Sequence, residues 1–260
     1  MIARTASILA ALAALAAAVA PAAAERLVTS VSKHQVQVTS NFGGEDLVLF
    51  GSVERDAATI PRRGGYDIVV TVTGPRKTFV TRRKERRLGI WINVESREFI
   101  GVPAFLAVLA NRSVERMAPP EIRRRLQLGL DFVSLPQQIG DDLADVVPED
   151  AFRKAFVRIN EQHSLYQEGD NAVTLLTPNL FRAAIPLPAS VPIGSYNIDV
   201  KLLSDGVMIA RATSAFEVIK AGFEQVVADA AHQRPFLYGL ITMLMALLTG
   251  WLASVIFRRD

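Results

Sequence analysis

Val191-Pro192-Ile193-Gly194-Ser195-Tyr196-Asn197-Ile198-Asp199-Val200 is the stretch on which the fold turns. A proline–glycine corner leads into a tyrosine. Polar and apolar residues then alternate, which places successive side chains on opposite faces of a strand. Ser204-Asp205-Gly206 follows, with glycine able to supply the positive φ of a tight connection. Val207 to Val218 is the return strand. Two further runs, Ala172–Thr177 and Leu180–Leu187, read as β on the same grounds.

The β pattern resumes upstream of the middle of the chain. Gln35-Val36-Gln37-Val38-Thr39 alternates, and Asp46-Leu47-Val48-Leu49-Phe50 carries a continuous apolar run. Tyr66-Asp67-Ile68-Val69-Val70-Thr71-Val72 is rich in β-branched residues, which suit a pleated surface. Phe79–Arg87 and Leu88–Val94 complete the set. Asn41-Phe42-Gly43-Gly44, Arg62-Arg63-Gly64-Gly65 and Gly74-Pro75 punctuate these runs as turns. Short strands at this spacing predict an antiparallel sandwich or barrel. The corner, the tyrosine and the final hairpin give it an immunoglobulin-like look.

Two helices interrupt the β pattern. Pro119-Pro120-Glu121 opens the first, with Ile122, Leu126 and Leu130 along one face. Pro148-Glu149-Asp150 opens the second, with Phe152, Phe156 and Ile159 as its apolar stripe. Asp141, Asp142 and Asp145 lie between them and read as a solvated segment. This helical middle favours two β domains, 25–118 and 164–219, joined by a connecting segment at 119–163. One sandwich is the alternative.

The ends set the address. Arg4, the Ala/Leu-rich run Ala6–Ala20, Pro21 and Ala22-Ala23-Ala24 have the order of a secretory signal, so 1–24 is expected to be removed. Phe223, Val226, Val227, Ala230 and Ala231 recur at helical spacing, predicting an amphipathic juxtamembrane helix over 220–234. Residues 235–257 carry no formal charge and are long enough to span a hydrocarbon core. Tyr238 and Trp251 lie where interfacial rings favour the headgroups, and Arg258-Arg259 predicts a cytoplasmic tail at 258–260. These features predict a single-pass inner-membrane protein with its bulk in the periplasm. No cysteine occurs in the 260 residues, so disulfides do not stabilise it.

Gly89-Ile90-Trp91-Ile92-Asn93 follows a basic strand. Leu180-Phe181-Arg182-Ala183 precedes Leu187-Pro188 and the Val191–Tyr196 corner. Tyr238-Gly239-Leu240, Gly250-Trp251-Leu252-Ala253 and Phe257-Arg258 mark the C-terminal helix. With Gly74-Pro75, these motifs resemble the Alph_Pro_TM family of alphaproteobacterial transmembrane proteins over essentially the whole mature chain. The family has no established activity, so the resemblance carries over no catalytic residue. It implies an inner-membrane location and an association with sulfite-exporter-like permeases of the TauE/SafE type.

Motif chemistry is sparse. His34, His163 and His232 are not at metal-ligand spacing, and no G-x-S-x-G, P-loop or G-x-G-x-x-G occurs. We expect no metal, no cofactor and no enzymatic activity. A hydrolase with a site assembled from distant loops is the weaker alternative. Nucleic acid is not an expected partner in a periplasmic compartment, despite a sequence pI of 9.4.

Two features remain. Arg76, Lys77, Arg82, Arg83, Lys84, Arg86 and Arg87 are opposed within that run by Glu85 alone. Spread over neighbouring strands they would form a basic stripe for lipid headgroups, an acidic partner or an oxyanion. The bland reading is an edge strand guarded by charge. Ala246, Gly250 and Ser254 recur every four residues along the span. Such small-residue faces let helices approach closely, in a homodimer or against a transporter. The leading expectation is a non-enzymatic accessory subunit of a membrane complex. An anion-binding module using the stripe at 76–87 is the alternative.

Overall fold

Ile68-Val69-Val70-Thr71-Val72 is apolar on both faces, so its strand needs neighbours on both edges and a layer on each side. The computed structural model describes residues 25–55, 65–139, 142–145, 147–222, 231–232 and 234–256. In it, this run forms β4 (Asp67–Thr73) inside a six-stranded sheet. The sheet order is β10 (Tyr166–Gly169), β7 (Leu106–Ala110), β4, β13 (Gly194–Ser204), β14 (Val207–Lys220) and β2 (Gln35–Val38). Its central pairs are antiparallel, but β10 on β7 and β2 on β14 are parallel, so the expected purely antiparallel pairing does not hold.

A second sheet, β1 (Arg26–Val31), β3 (Gly44–Glu54), β12 (Leu180–Pro188) and β11 (Val173–Leu175), covers one face of the first. Leu47, Leu49, Phe181 and Ile185 from this sheet meet Ile68, Val70, Val72, Ile198 and Val200 from the other in one core. Each fully buried aliphatic side chain there contributes about 1.5–3 kcal/mol. Phe181 lies directly over Gly51 of the paired strand, where any side chain would collide with its ring.

The two β regions therefore make one sandwich, not the two domains favoured by the sequence. β3 pairs with β12, and β4 pairs with β13, so each sheet is built from both regions. The cause is the burial demand of β4 and β13. Residues Ile198–Ser204 of β13 are all buried, and neither half of the chain alone can surround such a strand.

A third layer covers the opposite face of the six-stranded sheet. It combines a sheet of β5 (Arg76–Arg87), β6 (Ile90–Pro103), β8 (Pro136–Ile139) and β9 (Asp142–Asp145) with short helices α1 (Val114–Met117) and α2 (Pro120–Leu126) and the longer α3 (Ala151–Gln162). Asp150 caps α3, accepting from the Arg153 N–H at 2.8 Å. Phe156 stacks on Phe99 at 4.3 Å and meets Phe79 and Tyr166 at 5.7 Å, joining the helix to both sheets. The buried stripe of α3 is Phe152, Arg153, Phe156 and Asn160; Ile159, expected inside, is exposed. Asp142 and Asp145, expected in a solvated segment, bound strand β9. Arg153 explains part of this. Its guanidinium is buried, donating to Asp145 at 3.2 Å and to the Asp131 and Val133 carbonyls at 2.9 and 2.5 Å.

The Tyr196 hydroxyl donates to the Pro192 carbonyl at 2.6 Å, pinning the approach to β13. The C-terminal helix α4 (Pro235–Ile256) has a mean hydropathy of 2.0 and no buried residue. The leader at 1–24, the Arg62-Arg63-Gly64 part of one turn, Asp141, the juxtamembrane stretch 223–230, residue Phe257 of the expected span and the tail at 258–260 lie outside the described residues.

Candidate functional site: a basic ribbon and a polar cleft

All seven basic residues, Arg76, Lys77, Arg82, Arg83, Lys84, Arg86 and Arg87, lie on the single strand β5, not on neighbouring strands. Strand alternation therefore divides them between two faces. β5 and β6 form a long hairpin whose base is held by β8 only at Glu98 and Phe99. Beyond that base the hairpin is a two-stranded ribbon. Thr81–Arg87 corresponds to about 24 Å at a rise of ~3.4 Å per residue.

The inward face continues from Phe79 and Phe99. It carries Arg83 opposite Glu95, then Glu85, then Arg87. These charges neutralise one another: Arg83 meets Glu85 at 3.2 Å and Glu95 at 3.3 Å, and Arg87 meets Glu85 at 3.3 Å. The outward face carries Arg82, Lys84 and Arg86, standing opposite Ser96, Asn93 and Trp91. No carboxylate pairs with these three cations among the described residues.

One bulge creates that asymmetry. The two-residue turn sets Arg87 opposite Ile90 and Arg86 opposite Trp91, a register that would bring Glu95 opposite Arg82. The irregularity between Arg83 and Lys84 shifts Glu95 onto Arg83 instead. It moves Glu95 from the outward face to the inward one and sets Glu98 opposite Val80, on the outward face at the base of the ribbon.

The tip is apolar. Leu88 is fully exposed, Ile90 is 64% exposed and Trp91 68% exposed. Leu88 and Gly89 both have positive φ, 50° and 84°, as a type I′ hairpin turn requires. Leucine is a costly choice at such a φ, where asparagine or glycine is usual.

A second feature was not visible in the sequence. On the outer face of the six-stranded sheet, Asp199 sits in β13 directly opposite Thr71 of β4. It accepts from Lys201 at 2.6 Å and from Arg211 at 2.6 and 3.2 Å. Burial pushes the Asp199 carboxyl up, but the hydrogen bonds from Arg211 and Lys201 outweigh it and hold the group below its ordinary range. With Arg76, Thr73, Asn197 and Ser134, these residues line a cleft of about 380 Å³. The Thr71 hydroxyl is buried there without a protein partner. Of the seven basic residues, Arg76 reaches this cleft. Lys77 lies at the base of the hairpin opposite Val102, and the other five belong to the ribbon. The signal for the cleft was the polar alternation Asn197, Asp199, Lys201, which reads in isolation as a solvated strand face.

Ala246, Gly250 and Ser254 share one side of α4 by their spacing of four. Open space surrounds Gly250.

No curated protein and no solved structure matches the chain. Residues 26–259 match the family described as "Putative transmembrane protein (Alph_Pro_TM)", a span that takes in the sandwich, the ribbon and the C-terminal helix. The chain therefore belongs to the Alph_Pro_TM family.

Proposed function

We propose that the protein is a membrane-anchored, non-enzymatic accessory subunit whose sandwich lies in the periplasm and whose C-terminal helix joins it to an integral-membrane partner. The observation that carries this reading is α4, a 22-residue helix that is apolar all round and packs on nothing in the described structure. Apolar surface of that length is stable only in lipid or against other helices. Ala246, Gly250 and Ser254 supply a face on which a second helix can pack closely. A permease for sulfur-containing anions is the partner this reading favours, and the Tyr196 corner supports an immunoglobulin-like sandwich as the exposed module. Affinity purification from mildly solubilised membranes is expected to recover a multispanning protein, with recovery falling sharply for Gly250→Leu. A lone monomer in several mild detergents would count against the reading.

The cleft favours a second reading, a small-anion site. Arg76, Lys201 and Arg211 outnumber Asp199 there, and Thr71 offers an unused hydroxyl. This moves the anion-binding alternative away from the ribbon. Sulfite or sulfate should raise the thermal midpoint of the wild type and leave that of Arg76→Gln unchanged. Equal stabilisation of both would exclude the cleft.

A further inference from the structure

Three properties of the β5–β6 ribbon set it apart from the rest of the fold. Leu88 is fully exposed at a backbone conformation that disfavours it. Ile90 and Trp91 beside it are mostly exposed among the described residues. Arg82, Lys84 and Arg86 stand behind Trp91 on a face from which the bulge removes Glu95, so that its remaining carboxylate, Glu98, lies at the base opposite Val80. A solubility device would place charge at the tip and leave out the apolar residues. A charge-guarded edge strand would not need a tryptophan.

We propose that the tip Leu88-Gly89-Ile90-Trp91 inserts into the headgroup region of an anionic bilayer, with Arg82, Lys84 and Arg86 bound to lipid phosphates. An apolar, Trp-bearing tip backed by unpaired cations matches the two layers of that surface: acyl boundary beneath, anionic headgroups above. Over Thr81–Arg97, six basic residues face two acidic ones, a net charge of +4. A protein partner would need a recess to enclose a tip whose side chains radiate from a two-residue turn. A bilayer needs none.

The occupant is the membrane that α4 enters. β14 ends, and β5 begins, at the same end of the six-stranded sheet. Gly194 pairs with Val218 and lies against Pro75, where the ribbon starts. The 14 residues from Ala221 to Arg234 connect the body to α4. They allow a reach of up to roughly 50 Å. Tethering thus holds the ribbon at high effective concentration over the bilayer. The proposal requires α4 to cross that bilayer, but it does not depend on an accessory role.

Trp251→Phe leaves Trp91 as the single tryptophan of the full chain. This variant is reconstituted into nanodiscs of phosphatidylcholine, with or without phosphatidylglycerol, in which the acyl chains are brominated. Trp91 emission is expected to be quenched in the anionic discs, weakly in the neutral ones, and to recover in high salt. Adding Arg82→Gln, Lys84→Gln and Arg86→Gln should weaken docking on the order of 100-fold and abolish quenching. Adding Arg83→Gln and Arg87→Gln, on the self-neutralised face, should preserve it. Absence of quenching in both compositions overturns the proposal, as does equal loss in the two sets of variants. A photo-crosslinker at position 88 that labels only protein in native membranes also overturns it, in favour of a protein partner. Because the discs contain no other protein, their outcome is independent of the affinity purification.

Discussion

Asp199→Asn removes one negative charge from a place where the fold has committed two positive ones. The two cations differ. The Arg211 side chain is 57% exposed and can re-solvate, whereas Lys201 is only 7% exposed and is held at 2.6 Å from the carboxylate. Stranding a buried charge by deleting its partner costs about 3–5 kcal/mol. Asparagine retains one acceptor oxygen, so the lower end, about 3 kcal/mol, is expected. The pH profile carries the same signature. Asp199 has a folded-state pKa below its unfolded value, so the pair stabilises the fold above about pH 4 and loses that contribution as pH falls through the depressed value. In that window the unfolded chain takes up the proton first. Urea unfolding of the full chain in detergent, followed by far-UV circular dichroism from pH 7 to pH 3, measures both effects. The variant should be weaker at pH 7 and lack this part of the acid-dependent loss. Adding Lys201→Met should restore stability to within about 1 kcal/mol of wild type, because the stranded charge is gone. A loss below about 1 kcal/mol for Asp199→Asn would refute the reasoning, as would a double variant weaker than the single one.

The remaining predictions concern how the layers hold together. Tyr196→Phe leaves the Pro192 carbonyl without its 2.6 Å donor and should cost about 1–2 kcal/mol in the same unfolding assay, with the fold intact. Phe156→Ala removes the ring that joins α3 to Phe79, Phe99 and Tyr166, a loss of about 3–5 kcal/mol for a buried aromatic. Hydrogen exchange should then rise in α3 and the base of β5–β6 while β4 and β13 stay protected; uniform loss of protection would show that the third layer and the sandwich open as one unit.

The strands were legible wherever burial follows alternation or a long apolar run. β12, β13 and β14 fall close to where the sequence puts them, because their turns are marked by Pro, Gly and Asp. Pairing was not legible. Nothing local in Val69 or Val200 says that each belongs in the middle of a sheet fed from both ends of the chain. The helical middle looks like a boundary because it interrupts the pattern, although in space it is a layer laid against that same sheet. Asp145 shows the limit on charge. An acid between helices reads as solvated, and Asp145 is exposed, but nothing local says that a buried Arg153 from a later helix also reaches it. The cleft was missed for the same reason, since Asp199 and Thr71 become neighbours only through strand pairing.

The ribbon marks the boundary between what spacing can and cannot tell. Parity along β5 already separates Arg82, Lys84 and Arg86 from Arg83, Glu85 and Arg87. The turn at Leu88-Gly89 then places Trp91 opposite Arg86. Both steps follow from the sequence once a two-residue hairpin is assumed. Extending the same register would pair Arg82 with Glu95 and set a carboxylate directly among Arg82, Lys84 and Arg86, giving a ribbon with no reason to prefer an anion on either side. The bulge between Arg83 and Lys84 undoes that pairing. Bulges have no fixed sequence signature, and this one takes Glu95 off the outward face beside Arg82 and sets Glu98 further back, opposite Val80. The difference between a neutralised edge and a cationic face therefore rests on one extra residue in β6, which makes face-specific neutralisation a sharper test of this protein than removal of the whole basic run.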